Sequence, residues 1–173
     1  MLRPQPLERV PNETARVARA SFPAGNLYLR MRDALGTLYE DAAFAPLFAP
    51  HGRPAEAPWR LALVTVVQFA EDLSDRQAAD AVRARIDLKY ALALPLDDAG
   101  FDHTVLSEFR GRLVAGEAAH LLLEALLTRC QQLGVVKAHG RQRTDSTHVL
   151  AAVRALNRLE LVRETLRHTL STS

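Results

Sequence analysis

Residues 141–149, reading Arg-Gln-Arg-Thr-Asp-Ser-Thr-His-Val, place a single carboxylate, Asp145, in a short polar segment after a long helical region. Thr144, Asp145, Ser146 and Thr147 compete with helical hydrogen bonding, and Thr147 and Val149 favour an extended backbone, so a strand is predicted. On a strand, Asp145, Thr147 and Val149 share one face, and Ser146 and His148 share the other. The chemistry in view is metal-assisted phosphoryl transfer. It needs two or three carboxylates converging on hard cations, so the meaning of Asp145 depends on what the rest of the chain supplies.

Other chemistries find little support. The six histidines, at 51, 103, 120, 139, 148 and 168, lack the paired spacing of zinc sites. Asp97, Asp98 and Asp102 cluster without calcium-loop spacing, which favours caps and solvated turn carboxylates. The single Cys130 sits in a Leu-rich stretch, excludes an internal disulfide, and reads as a small buried residue. Neither a Gly-rich phosphate loop nor a nucleophile elbow occurs, and nothing indicates a small-molecule substrate. No run of eighteen apolar residues is present and the N-terminus has no signal-peptide core, so a cytoplasmic, membrane-free protein is expected. The net charge of +2 is too small to name a polyanion partner by itself. Twenty of the twenty-two basic residues are Arg, which suits bidentate phosphate contacts, but beside abundant Ala this bias is equally what the base composition of the source genome would produce.

The elements that must position these residues are helical. An extended, Pro-rich arm precedes two helices with Asn12 and Asn26 as expected N-caps, the second carrying Tyr28, Met31, Leu35, Leu38 and Tyr39 inward and ending near Asp41. Five prolines and glycines between 45 and 58 mark a loop, and Pro58 suits the first turn of the helix 59–71, which is apolar nearly all round and belongs at the centre of the core. Ser74 and Gln77 match a capping box, Leu73 can staple onto Ala78, and the helix so opened runs to about Ile86. A short helix 88–94 stops before Pro95. Asp102 or Thr104 then caps a helix with Val105, Leu106, Phe109 and Leu113 inward and Glu108, Arg110 and Arg112 outward. After Gly116, a helix 117–133 turns Leu121, Leu122, Ala125 and Leu126 inward. A last helix, about 150–170, carries a stripe at Leu156, Leu159, Val162, Leu166 and Leu170 with no visible partner, which leaves the helical domain, a second chain or a missing part to cover it. Its arginines 154, 158, 163 and 167 lie at pairing distance from Glu160 and Glu164, which favours a self-paired solvated face.

The helices on either side of Asp72-Leu73-Ser74 resemble a helix-turn-helix whose second helix presents Arg76, Gln77, Asp80 and Arg83, residue types that read DNA grooves. The same spacings make ordinary surface ion pairs, and the turn lacks the glycine often found in this motif.

Taken together, the run from Trp59 through Leu73-Ser-Asp-Arg-Gln-Ala-Ala and Ala81-Val-Arg-Ala-Arg-Ile-Asp, then Phe101 through Ser107-Glu-Phe-Arg, then Gln142-Arg-Thr-Asp-Ser-Thr-His-Val, resembles the N-terminal portion of bacterial insertion-sequence transposases, in the group named after insertion sequence 1182. The resemblance implies DNA transposition by an enzyme with a helical domain ahead of a ribonuclease H-like domain, whose Asp, Asp and Glu hold two Mg²⁺ ions. Asp145 matches the first aspartate and so becomes the candidate catalytic residue and metal ligand. The family's other two ligands lie far downstream, and only twenty-eight residues follow Asp145. The expectation is therefore a mostly α chain: arm and helices over 1–57, a helical domain with the helix-turn-helix-like pair over 58–134, and the first strand and a helix of an incomplete catalytic domain over 135–173. This polypeptide alone is expected to bind terminal-repeat DNA, with self-association open, to hold no Mg²⁺ stably, and to be inactive in strand cleavage. The alternative is a stand-alone helical DNA-binding or regulatory protein, or an inactive relict.

Overall fold

The computed structural model describes residues 1–2, 9–52 and 54–132, and among these all regular structure is helical. The order is α1 (Asn12–Ser21), α2 (Leu27–Leu35), a short α3 (Asp41–Phe44) running into a 3-10 turn (Ala45–Leu47), α4 (Pro58–Glu71), α5 (Asp75–Ala84), α6 (Ile86–Ala91), α7 (Thr104–Ala115) and α8 (His120–Gln132). The expected strand and helix of the incomplete ribonuclease H-like domain, Asp145 included, fall outside the described residues.

Helix α4 forms the centre, as its composition predicts. Trp59, Leu61, Ala62, Leu63, Val64, Thr65 and Val67 are all buried, and α3, α5 and α7 pack around it. A helix buried at its N-terminus leaves amide donors without partners. Here the buried Asp41, on α3, accepts from the Trp59 amide at 3.1 Å, which ties α3 to the start of α4. The Thr65 hydroxyl, also buried, is satisfied by donating to the Leu61 carbonyl at 2.7 Å. On α7, Leu106, Phe109 and Leu113 point into the same core, where Phe109 meets Phe44 edge-on with ring centroids 5.6 Å apart. A smaller apolar cluster of Ala18, Leu29 and Tyr90 joins α1 and α2 to α6.

Several boundaries depart from the sequence expectation. Asn12 is the first helical residue and not a cap: Pro11 precedes it with extended dihedrals, and its carbonyl accepts from Ala15 at 2.9 Å. Asn26 does cap α2, accepting from the Leu29 amide at 3.0 Å. That helix ends at Leu35 because Gly36 takes a positive φ of 68° and closes the turn onto Arg32, so Leu38 and Tyr39 leave the helix. Tyr39 remains buried by another route and donates its hydroxyl to the Leu122 carbonyl on α8. Helix α5 ends at Ala84, and α6 begins at Ile86 and not at Leu88.

The capping box is formed as expected. The Ser74 side chain accepts from the Gln77 amide, and the Gln77 side chain accepts from the Ser74 amide at 2.9 Å. Leu73 packs on the core beside it. Ser74→Ala should cost about 1 kcal/mol, the usual value of an N-cap. A lowered urea midpoint with an unchanged slope would register it.

Candidate nucleic-acid interface

The α4–α5 corner is a three-residue connection, Asp72, Leu73 and Ser74, and Asp72 makes it possible by adopting a left-handed conformation with φ 55°. No glycine is needed, because aspartate tolerates this region better than most side chains. Helix α5 then buries Ala78, Ala79 and Val82 and leaves Arg76, Gln77, Asp80 and Arg83 exposed. The four residues singled out from the sequence therefore do share the outward side of one helix.

Their commitments differ. Gln77 is held by the capping box. Arg83 pairs with Asp80 at 2.9 Å and donates to the Ala99 carbonyl at 3.0 Å, so it also braces the loop ahead of α7. Arg76 has no hydrogen bond or ion pair among the described residues, and its charge helps hold the Asp102 carboxyl below its ordinary range, after the hydrogen bonds from Thr104.

Two polar clamps fix the corner from behind. In the first, Arg110 reaches from α7 to Asp75 through two hydrogen bonds, at 2.8 and 2.7 Å, while Gln68 on α4 donates to the same carboxylate at 2.6 Å. Arg110 therefore turns inward, contrary to expectation, because α7 lies across the α4–α5 junction and brings Asp75 within its reach. Its hydrogen bonds lower the Asp75 pKa despite partial burial. In the second clamp, Arg85 grips Glu71 at the end of α4 and Asp87 at the start of α6, with Asp87 held in turn by Asn26 at 2.9 Å. Tyr28 donates its hydroxyl to Glu71 and lies under the Arg85 guanidinium, 5.4 Å from its ring centroid. Burial and the adjacent Glu71 carboxylate push the Tyr28 phenol well above its ordinary range. Sequence reading missed both clamps, since their partners lie as far as 61 positions apart.

The aspartates at 97, 98 and 102 serve turns, as expected. Asp98 accepts from the Gly100 amide at 2.8 Å and Asp102 from the Thr104 amide at 2.9 Å. Among the described residues no group of three or more His, Cys, Asp or Glu side chains is placed to hold a metal ion. Nor is any helix there long and apolar enough to cross a membrane.

The described residues thus form a helical core against which α5 turns one side outward. The family model described as Transposase domain (DUF772) matches residues 16–112, which run from α1 to α7 and make up more than half of the chain. The chain belongs to this transposase-domain family. Comparison with curated proteins and with solved structures gives no match.

Proposed function

We propose that this protein is the N-terminal part of a DNA transposase of the acidic-triad type, and that α5 meets transposon-end DNA through Arg76 and Arg83. The observation that carries the reading is the outward side of α5, where two arginines stand on a helix braced from behind by Arg110 and Arg85. A rigid support is what a reading helix needs, because base contacts are lost when the helix can tilt.

Charge adds a constraint. Residues 1–132 hold fifteen basic and seventeen acidic side chains, whereas residues 133–173 hold seven and three. The helical domain is therefore not a general polyanion binder, and α5 would supply local contacts while the basic segment beyond α8 neutralises phosphates. In this reading Asp145 is the first ligand of a two-metal site, in the group named after insertion sequence 1182. The three carboxylates of such a site would hold Mg²⁺, and residues 1–173 supply one of them.

The test is binding of the pure chain to duplexes taken from both ends of the DNA flanking its gene, against a scrambled duplex, over a salt series. The double variant R76A/R83A should bind the terminal duplex about 10- to 100-fold more weakly and flatten the salt slope by about 1–2. Unchanged affinity in that variant would end the assignment of α5, and equal binding to scrambled DNA would end the terminal-repeat reading.

A further inference from the structure

Arg76 and Arg83 stand two turns apart on the outward side of α5, about 10 Å along its axis, and Asp80 lies between them. The Asp80 carboxylate accepts from Arg83 Nη1 at 2.9 Å, while Arg83 Nε donates to the Ala99 carbonyl at 3.0 Å. These two acceptors orient the guanidinium. They use two of its five N–H donors, so the Nη2 edge is left for a ligand, and the carboxylate keeps lone pairs of its own. Arg83 is 53% and Asp80 62% exposed, which leaves the pair open to a large partner. Arg76 is near enough to Asp102 for its charge to help hold that carboxyl below its ordinary range, after the hydrogen bonds from Thr104. With an acid beside each arginine, this side of α5 has no positive excess to attract DNA of arbitrary sequence.

We propose, resting on the reading of α5 given above, that Asp80 makes the helix selective by accepting from the amino group of a cytosine whose paired guanine is read by Arg83. Attraction within the pair is too weak to do this alone, since an exposed ion pair shifts an equilibrium by no more than about fivefold. The larger effect is repulsion. On a wrong sequence the Asp80 carboxylate meets acceptors or phosphates and is desolvated without a donor, which penalises that complex. On the right one, the cytosine amino group satisfies it. Adenine also offers an amino group in the major groove, but its N7 acceptor stands beside that group and opposes the carboxylate. Guanine O6 and N7 accept from the free edge of Arg83, so one G·C pair supplies partners for both side chains. The Ala99 carbonyl continues to hold Arg83 in place when Asp80 turns to the base.

Fluorescence anisotropy of the full chain tests the proposal, with the terminal duplexes and the scrambled duplex over a salt series, for wild type, Asp80→Ala and Glu13→Ala. Glu13 pairs with Arg16 on α1 at the same three-residue spacing, also at 2.9 Å and exposed, so E13A removes the same charge from an equivalent pair on another helix. D80A should bind the scrambled duplex about 3- to 10-fold more tightly, steepen its salt slope by about 1, and lower the terminal-to-scrambled affinity ratio about fivefold or more. E13A should leave that ratio unchanged. Placed at each cytosine of the terminal duplex in turn, 2-pyrimidinone, which lacks the amino group, should weaken the wild type about fivefold or more at one position and leave D80A unaffected there. A ratio that D80A does not change, a ratio that E13A lowers as much, or the lack of any such cytosine would overturn the role of Asp80. A wild-type chain that does not distinguish the terminal from the scrambled duplex ends the reading of α5 and this inference together. Selective binding that R76A/R83A abolishes and D80A leaves intact ends this inference alone.

Discussion

Phe109→Ala should lower the unfolding free energy by about 3–5 kcal/mol, the range for deleting a fully buried aromatic ring. Phe109 is 0% exposed, and it touches Phe44, which is also 0% exposed, in an edge-on pair that joins α7 to α3. The neighbours cannot collapse into the space. The other fully buried bulky side chains of the same cluster, among them Leu61, Val64 and Leu106, are themselves packed and committed to α4 and α7, so a cavity persists and its surface adds to the lost transfer energy. Small domains hold about 5–15 kcal/mol in total, so this one change brings the domain close to unfolding at ordinary temperature. Urea unfolding followed by far-ultraviolet circular dichroism measures it. Val105→Ala, at a half-buried position one turn earlier, should cost about 1 kcal/mol and serves as the control for helix α7 itself. Equal costs for the two would mean that α7 is not anchored by Phe109.

What could be read from the sequence was whatever depends on neighbours along the chain. The apolar circumference of α4, the start at Pro58, the capping box of Ser74 and Gln77 and the turn roles of Asp98 and Asp102 all arise within a few residues, and all are present. The end of α2 was misread because apolar spacing continues through Leu38 and Tyr39 while the backbone turns away at Gly36. Spacing records which residues prefer burial and is silent on how they reach it: Tyr39 is buried as expected, but from outside the helix. The candidate interface was legible as a pattern, since Arg76, Gln77, Asp80 and Arg83 do share an exposed side. Their different commitments were not, because the Ala99 carbonyl that holds Arg83 belongs to a loop whose path no local rule fixes. The clamps of Arg110 and Arg85 were invisible for the same reason, each closing only when three helices have met.

Arg85→Ala should be the most damaging polar substitution, with an expected cost of about 2 kcal/mol. One guanidinium serves two carboxylates, and one of these, the Asp87 side chain, is only 9% exposed. Truncating a shared partner leaves a charge in a poorly solvated place, and that penalty exceeds the worth of the pair itself. Arg85 is one-third exposed, so water offsets part of the loss, which keeps the figure below the range for fully buried pairs. The same cluster carries a pH signature. Burial would raise the Glu71 pKa, but the hydrogen bonds from Arg85 and Tyr28 outweigh it and lower the value from 4.5. A carboxyl whose folded pKa is depressed stabilises the fold above its unfolded value, and that stability is lost as pH falls through the folded value. Glu71→Gln should therefore be less stable than the wild-type chain near pH 7, with the gap narrowing below about pH 4.5 as the wild-type carboxyl takes up its proton. Asp75, lowered chiefly by Arg110, keeps some acid sensitivity in the variant, so the variant's curve flattens without becoming level. A gap that stays constant from neutral to acid pH would mean that Arg85 braces α4 and α6 by packing over Tyr28 and not by charge.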